Sequence, residues 1–173
     1  CPLNRLRVSR NMVRSLTQND GSDSPRTLEN KGVISIYTYK EGLLSKIAHD
    51  LRLHVNQSLI QLDKNRVHVT IDANSLTVMG AMQRGKLAPA MLKKKDHQEI
   101  EKNIRDTVLR SRNFPSIVFR GTLEESDETF SLPGQLTMQG RTRDVIIGGT
   151  RSGDCFLGQA TIQPSLWGIS PFR

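Results

Sequence analysis

Residues 94–121 read KKDHQEIEKNIRDTVLRSRNFPSIVFRG, and residues 132–145 read LPGQLTMQGRTRDV. The first stretch has the period of an amphipathic helix up to its proline; after that the period is that of antiparallel strands. Ile100, Ile104 and Val108 recur every fourth residue and lay an apolar stripe down one side, with Glu101 and Arg105 on the wet side. Asp96, followed three residues later by Glu99, has the spacing of a capping box, so the helix is expected to start there and to run to Arg110. Arg110 and Arg112 lie at its C-terminal end, where the helix dipole favours cations. Pro115 forces Phe114 toward an extended conformation and stops the helix.

Downstream the period is two. Ile117 and Phe119 share a face, as do Phe130, Leu132, Leu136 and Met138, then Val145 and Ile147, then Phe156, Ala160 and Ile162. The breaks EESDE (124–128), QGRT (139–142) and RSGD (151–154) carry turn residues. The front half alternates too: Ile34 and Ile36 with Ser35 and Tyr37; Leu51, Leu53 and Val55 with Arg52 and His54; Val67, Val69 and Ile71 with His68 and Thr70. Three helical patches interrupt the strands, around Gly42–Ala48, around Met79–Leu92 and over Asp96–Arg110. The fold class expected is mainly β: an antiparallel up-and-down barrel of about eight strands with one main α-helix.

A chain of 173 residues buries roughly 70% of its unfolded surface, enough for one domain without staples. Residues 1–32, rich in Arg, Asn, Ser and Asp and containing SLTQNDGSDSPRTLENKG, read as a flexible, solvated N-terminal segment, and 33–173 as the barrel domain. Cys1 and Cys155 give neither a disulfide framework nor zinc spacing. The formal net charge is +8, yet the basic residues are scattered, and the aromatic residues are only one Trp, two Tyr and five Phe. The strand pattern of an RNA-binding sheet is missing, so no nucleic-acid partner is expected; weak attraction to an anionic membrane surface is. No nucleophile elbow, phosphate loop, dinucleotide fingerprint or HExxH occurs, and no catalytic residue or metal ligand is expected. His54 and His68 take the polar parity of their strands and read as surface residues. His49 shares parity with Leu51, Leu53 and Val55 and begins the apolar face, either as a structural histidine at a strand end or as a polar contact at a cavity mouth.

The ordered motifs KDHQEIEKNIRDTVLRSRNFPSIVFRG (95–121), LTMQGRTRDV (136–145) and ATIQPSLWGI (160–169) resemble the YceI-like family of lipocalin-type polyisoprenoid-binding proteins. The residues carrying the resemblance are Phe114, Pro115, Ile117 and Phe119, then Leu136, Thr137, Gly140, Thr142, Arg143 and Val145, within a match over about residues 33–170. It implies an extended lipocalin-like barrel whose apolar lumen holds an isoprenoid or quinone-type lipid as ligand, with no catalysis and no other cofactor. It also implies a bacterial source and export to the periplasm; cytoplasmic residence is the other option, since no signal peptide is visible. The stretch GLLSKIAHDLRL (42–53) departs from the family's usual sequence, so the ligand of this branch can differ.

Alternation alone describes a filled barrel and a hollow one equally well, and the resemblance favours the hollow one. The lumen is then expected to be lined by Ile36, Leu51, Leu53, Val69, Ile71, Ile117, Phe119, Phe130, Leu136, Ile147, Phe156 and Ile162, with His49 at the ligand headgroup. The alternative is a closed-core barrel acting as a protein-interaction or stress-response module. An enzyme using His49 in a cavity comes third. Relatives continue beyond the Trp-Gly-Ile region with one more strand, whereas here Pro164 and Pro171 leave little room for it. The barrel is therefore expected to lack its closing C-terminal strand. The edge of Val33–Lys40 would then stay open, be covered by the N-terminal segment, or form a homodimer.

Overall fold

The computed structural model describes residues 32–39, 49–153 and 155–170, together with the backbone of residues 4–8 and 26–29. Its strands are β1 (Asn4–Val8), β2 (Arg26–Glu29), β3 (Ile34–Thr38), β4 (Asp50–Val55), β5 (Ser58–Asp63), β6 (Arg66–Asp72), β7 (Leu76–Gln83), β8 (Lys86–Ala88), β9 (Ser116–Thr122), β10 (Glu124–Glu125), β11 (Thr129–Met138), β12 (Arg141–Ser152) and β13 (Cys155–Ile162). The main helix, α1, spans Lys94–Asn103.

All strand pairs are antiparallel and belong to one sheet in the order β2-β5-β6-β9-β11-β12-β13-β1-β3-β4-β7-β8, with β10 beside β11. β4 continues into β5 and β6 into β7, so the four form one bent hairpin. At its bend Asn56 N–H donates to Ser75 O (3.1 Å) and Asp72 N–H donates to Gln57 O (3.1 Å). Because of this continuity the hydrogen-bonded path returns to its start. Its members are β3, bent β4–β5, bent β6–β7, β9, β11, β12, β13 and β1, which matches the expected strand number. The expected meander is β9, β11, β12 and β13. Its turn at Gln139 and Gly140 has two left-handed residues (φ 49° and 73°), as does the turn at Arg84 and Gly85 (49° and 77°), the geometry of a two-residue hairpin loop.

The edge of β3 is covered by the N-terminal segment. β1 pairs with β3 through Arg5↔Tyr37 to Val8↔Ile34 and with β13 through Asn4↔Ile162 to Val8↔Gly158. The composition of 1–32 reads as solvated, but two of its stretches are strands, because unpaired backbone groups along β3, β13 and β5 accept them. With that edge taken inside one chain, β3 offers no open ladder for a homodimer. After β13 the chain forms a 3-10 turn, Pro164–Trp167, instead of a further strand.

Two helical expectations are corrected. The stretch Met79–Leu92 is the end of β7, the hairpin to β8 and a short turn at Pro89–Met91; Arg84-Gly85 supplies a hairpin turn there. The main helix begins earlier than Asp96. Lys93 occupies the cap position and its N–H donates to Asp96 Oδ2 at 2.8 Å, so Asp96 is the residue reaching back and not the cap. The last turn, Ile104–Val108, is a π-helix in which Leu109 N–H donates to Ile104 O at 2.8 Å. This wider turn brings Ile104, Val108 and Leu109 into the core together, at 3%, 4% and 8% exposure. The patch expected at 42–48 lies outside the described residues.

Glu101 is not on the wet side. Its Oε1 accepts from Val78 N–H at 2.9 Å, while His97 Nδ1 lies 3.0 Å from Val78 O. Residues four apart on the helix thus satisfy both backbone groups that Val78 turns away from β4.

Candidate functional site: an apolar two-chamber lumen

The inward faces enclose two cavities. The larger, about 130 Å³, is walled by β3, β5, β6, β9 and β11–β13. The smaller, about 90 Å³, lies under the π-turn and the C-terminal 3-10 turn. Of the residues expected in the lumen, Val69, Ile71, Ile117, Phe119, Phe130, Leu136, Ile147, Phe156 and Ile162 line the larger chamber. Ile36 and Leu53 line the smaller. Leu51 lines neither; it is fully buried in the wall.

Ile71, Ile117, Leu136 and Ile162, one each from β6, β9, β11 and β13, line both cavities. They stand where the two cavities adjoin.

Room for the aromatic rings of the larger chamber comes from glycine. A Cβ at Gly134 would meet Phe119 Cζ at 2.6 Å, and one at Gly158 would meet Phe130 Cζ at 2.6 Å. Phe130 and Phe156 then meet edge to face, with centroids 5.3 Å apart. Sequence analysis did not single out these glycines; their placement against Phe119 and Phe130 is what fits the rings.

The described residues that line the larger chamber are apolar side chains and Gly158. Among the residues lining the smaller chamber the one polar side chain is Thr38. It is 2% exposed, and its hydroxyl has no hydrogen-bond partner among the described residues. Thr38 was missed at the sequence level, although continuing the alternation of Ile34 and Ile36 by one step puts it inside.

His49 is half-buried and lines neither chamber. His54 and His68 are half-buried instead of exposed, because neighbouring strands flank them: His54 faces Ser35 and Thr77, and His68 faces Gln61 and Arg120. Among the described residues no three His, Cys, Asp or Glu side chains come together as a metal site, and no helix is long and apolar enough to cross a membrane.

A family model for the YceI-like domain matches residues 37–172. The chain belongs to the YceI-like domain family. The match runs from within β3 to beyond the C-terminal turn, the stretch that builds both chambers apart from Ile34 and Ile36. No curated protein matches the chain.

Proposed function

We propose that this YceI-like domain binds a long apolar lipid of the isoprenoid kind in its lumen, as a carrier or store and not as a catalyst. One observation carries the reading: two adjoining cavities whose lining, Thr38 aside, is apolar. Protein interiors pack to a density of about 0.74, so a barrel serving only as a scaffold would fill this space. A void of roughly 150 Å³ lined by Leu, Ile and Phe stays dry and takes up benzene, so each chamber suits a short hydrocarbon segment. A longer chain threads both rooms past the four side chains they share. Burial yields roughly 25 cal/mol for each Å² of apolar surface, without any charged or catalytic group. The family's polyisoprenoid binding supports the ligand class, and its exported members support a periplasmic setting.

Delivery fits an anionic membrane surface. Met79 and Met91 are 42% and 39% exposed, and the exposed run Lys93–Lys95 follows Met91 closely in the chain. Apolar tips beside cations are the composition that adsorbs to such surfaces.

Organic extraction of the purified protein followed by mass spectrometry tests the carrier. A co-purified isoprenoid approaching one per chain is expected. A protein that carries no lipid and takes none up from prenyl-lipid vesicles contradicts it and favours an interaction module.

A further inference from the structure

Among the described residues Thr38 is the one buried polar side chain that lines the lumen, and no bond within the fold uses its hydroxyl. It lies at the end of β3, opposite Leu51 in the ladder with β4. Its Oγ1 is shielded from solvent and has no partner among the described residues, and it faces the smaller chamber among side chains such as Leu53, Ile104 and Met138. A buried hydroxyl without a partner is destabilising, and valine, of the same shape, would avoid the cost. Among the described residues no Asp, Glu, Lys, Arg or His lines either chamber. A phosphate or carboxylate brought there would be a buried charge that no described lining residue pairs.

The geometry points to Thr38 as the docking point for the polar end of the ligand, and to a ligand that ends in one neutral hydrogen-bonding oxygen, an alcohol or a carbonyl. This inference rests on the lipid-binding reading and deepens it. The head enters the smaller chamber and bonds to Thr38 Oγ1. The tail passes between Ile71, Ile117, Leu136 and Ile162 into the larger one. Prenyl alcohols and prenyl quinones both satisfy this chemistry; prenyl phosphates and plain hydrocarbons do not. The head-binding role assigned at the sequence level to His49 moves to Thr38. His49, two residues before Leu51 at the start of β4, lies toward the same end of the barrel and lines neither chamber.

The test compares four ligands sharing a farnesyl tail: the alcohol, a benzoquinone, the hydrocarbon and the monophosphate, each titrated against wild type, Thr38→Val and Thr38→Ser. Wild type should bind the alcohol, the quinone or both more tightly than the hydrocarbon by about fivefold, the worth of one net hydrogen bond, and should bind the phosphate least. Whichever of the two wild type prefers identifies the head. Thr38→Val should erase that preference while leaving hydrocarbon affinity and the melting temperature equal or higher, and Thr38→Ser should keep it. A Thr38→Val protein that folds and retains the full preference overturns the assignment, as does a phosphate that binds as well as the alcohol. Wild type binding the hydrocarbon as tightly as the alcohol and the quinone overturns it while leaving the carrier intact. Failure of wild type to bind any of the four removes the lipid-binding reading itself, and this inference with it.

Discussion

The indole N–H of Trp167 donates to the carbonyl oxygen of Leu136 at 2.9 Å, and both residues are buried. This bond ties the C-terminal turn, whose Pro164 lines the smaller chamber, to a strand whose side chain stands between the two rooms. Trp167→Phe keeps most of the packing and orphans the Leu136 oxygen. A loss of about 1–3 kcal/mol is expected. Trp167→Ala adds a cavity and should cost about 3–5 kcal/mol. Urea denaturation measures both, and equal values for the two variants would show that the bond contributes nothing separate from the ring.

The clamp of α1 on Val78 gives a second prediction. Glu101→Ala strands the Val78 N–H and should destabilise by about 1–3 kcal/mol, while Glu101→Gln keeps an acceptor and should cost less. Hydrogen exchange at the Val78 amide should accelerate in the alanine variant alone. Unchanged protection there would show that β7 does not depend on the helix.

Removal of residues 1–8 should uncover β3 and β13 together, since β1 pairs with both. Lower stability and concentration-dependent self-association are expected, read by size-exclusion chromatography with light scattering. A truncated chain that stays monomeric and equally stable would mean that β1 adds no more than a loose cover.

Much of the fold was legible because its signals are local. Ile100, Ile104 and Val108 carry a helical period, and the runs after Pro115 carry a period of two, and these elements stand where the patterns put them. The Met79–Leu92 stretch misled because Met, Ala, Gln, Lys and Leu are helix formers, whereas what decides it is a hairpin turn at Arg84-Gly85 and pairing to β4. Glu101 misled because β7 at Val78, beyond its pairing with β8, needed its carboxylate, a need invisible in local sequence. Most of the lumen lining followed from parity. Its division into two rooms did not, because side chains from β6, β9, β11 and β13 meet only once the sheet has curled.

A charge placed in the lumen tests the site from inside. Phe119→Lys or Ile147→Asp puts an unpaired charge in an apolar chamber and should abolish lipid retention. Circular dichroism and thermal melting identify which variants remain folded, and only those count. Lipid content equal to wild type in both folded variants would argue against the lumen as the site.

Methyl NMR during titration with farnesol tests the central claim most directly. The inward methyl groups of Ile117, Leu136 and Ile147 should shift in saturable fashion, while Ile146 and Leu157, 66% and 46% exposed, should not. Shifts confined to Ile146 and Leu157, with the lumen methyls unmoved, would place the lipid on the outer surface and contradict the account.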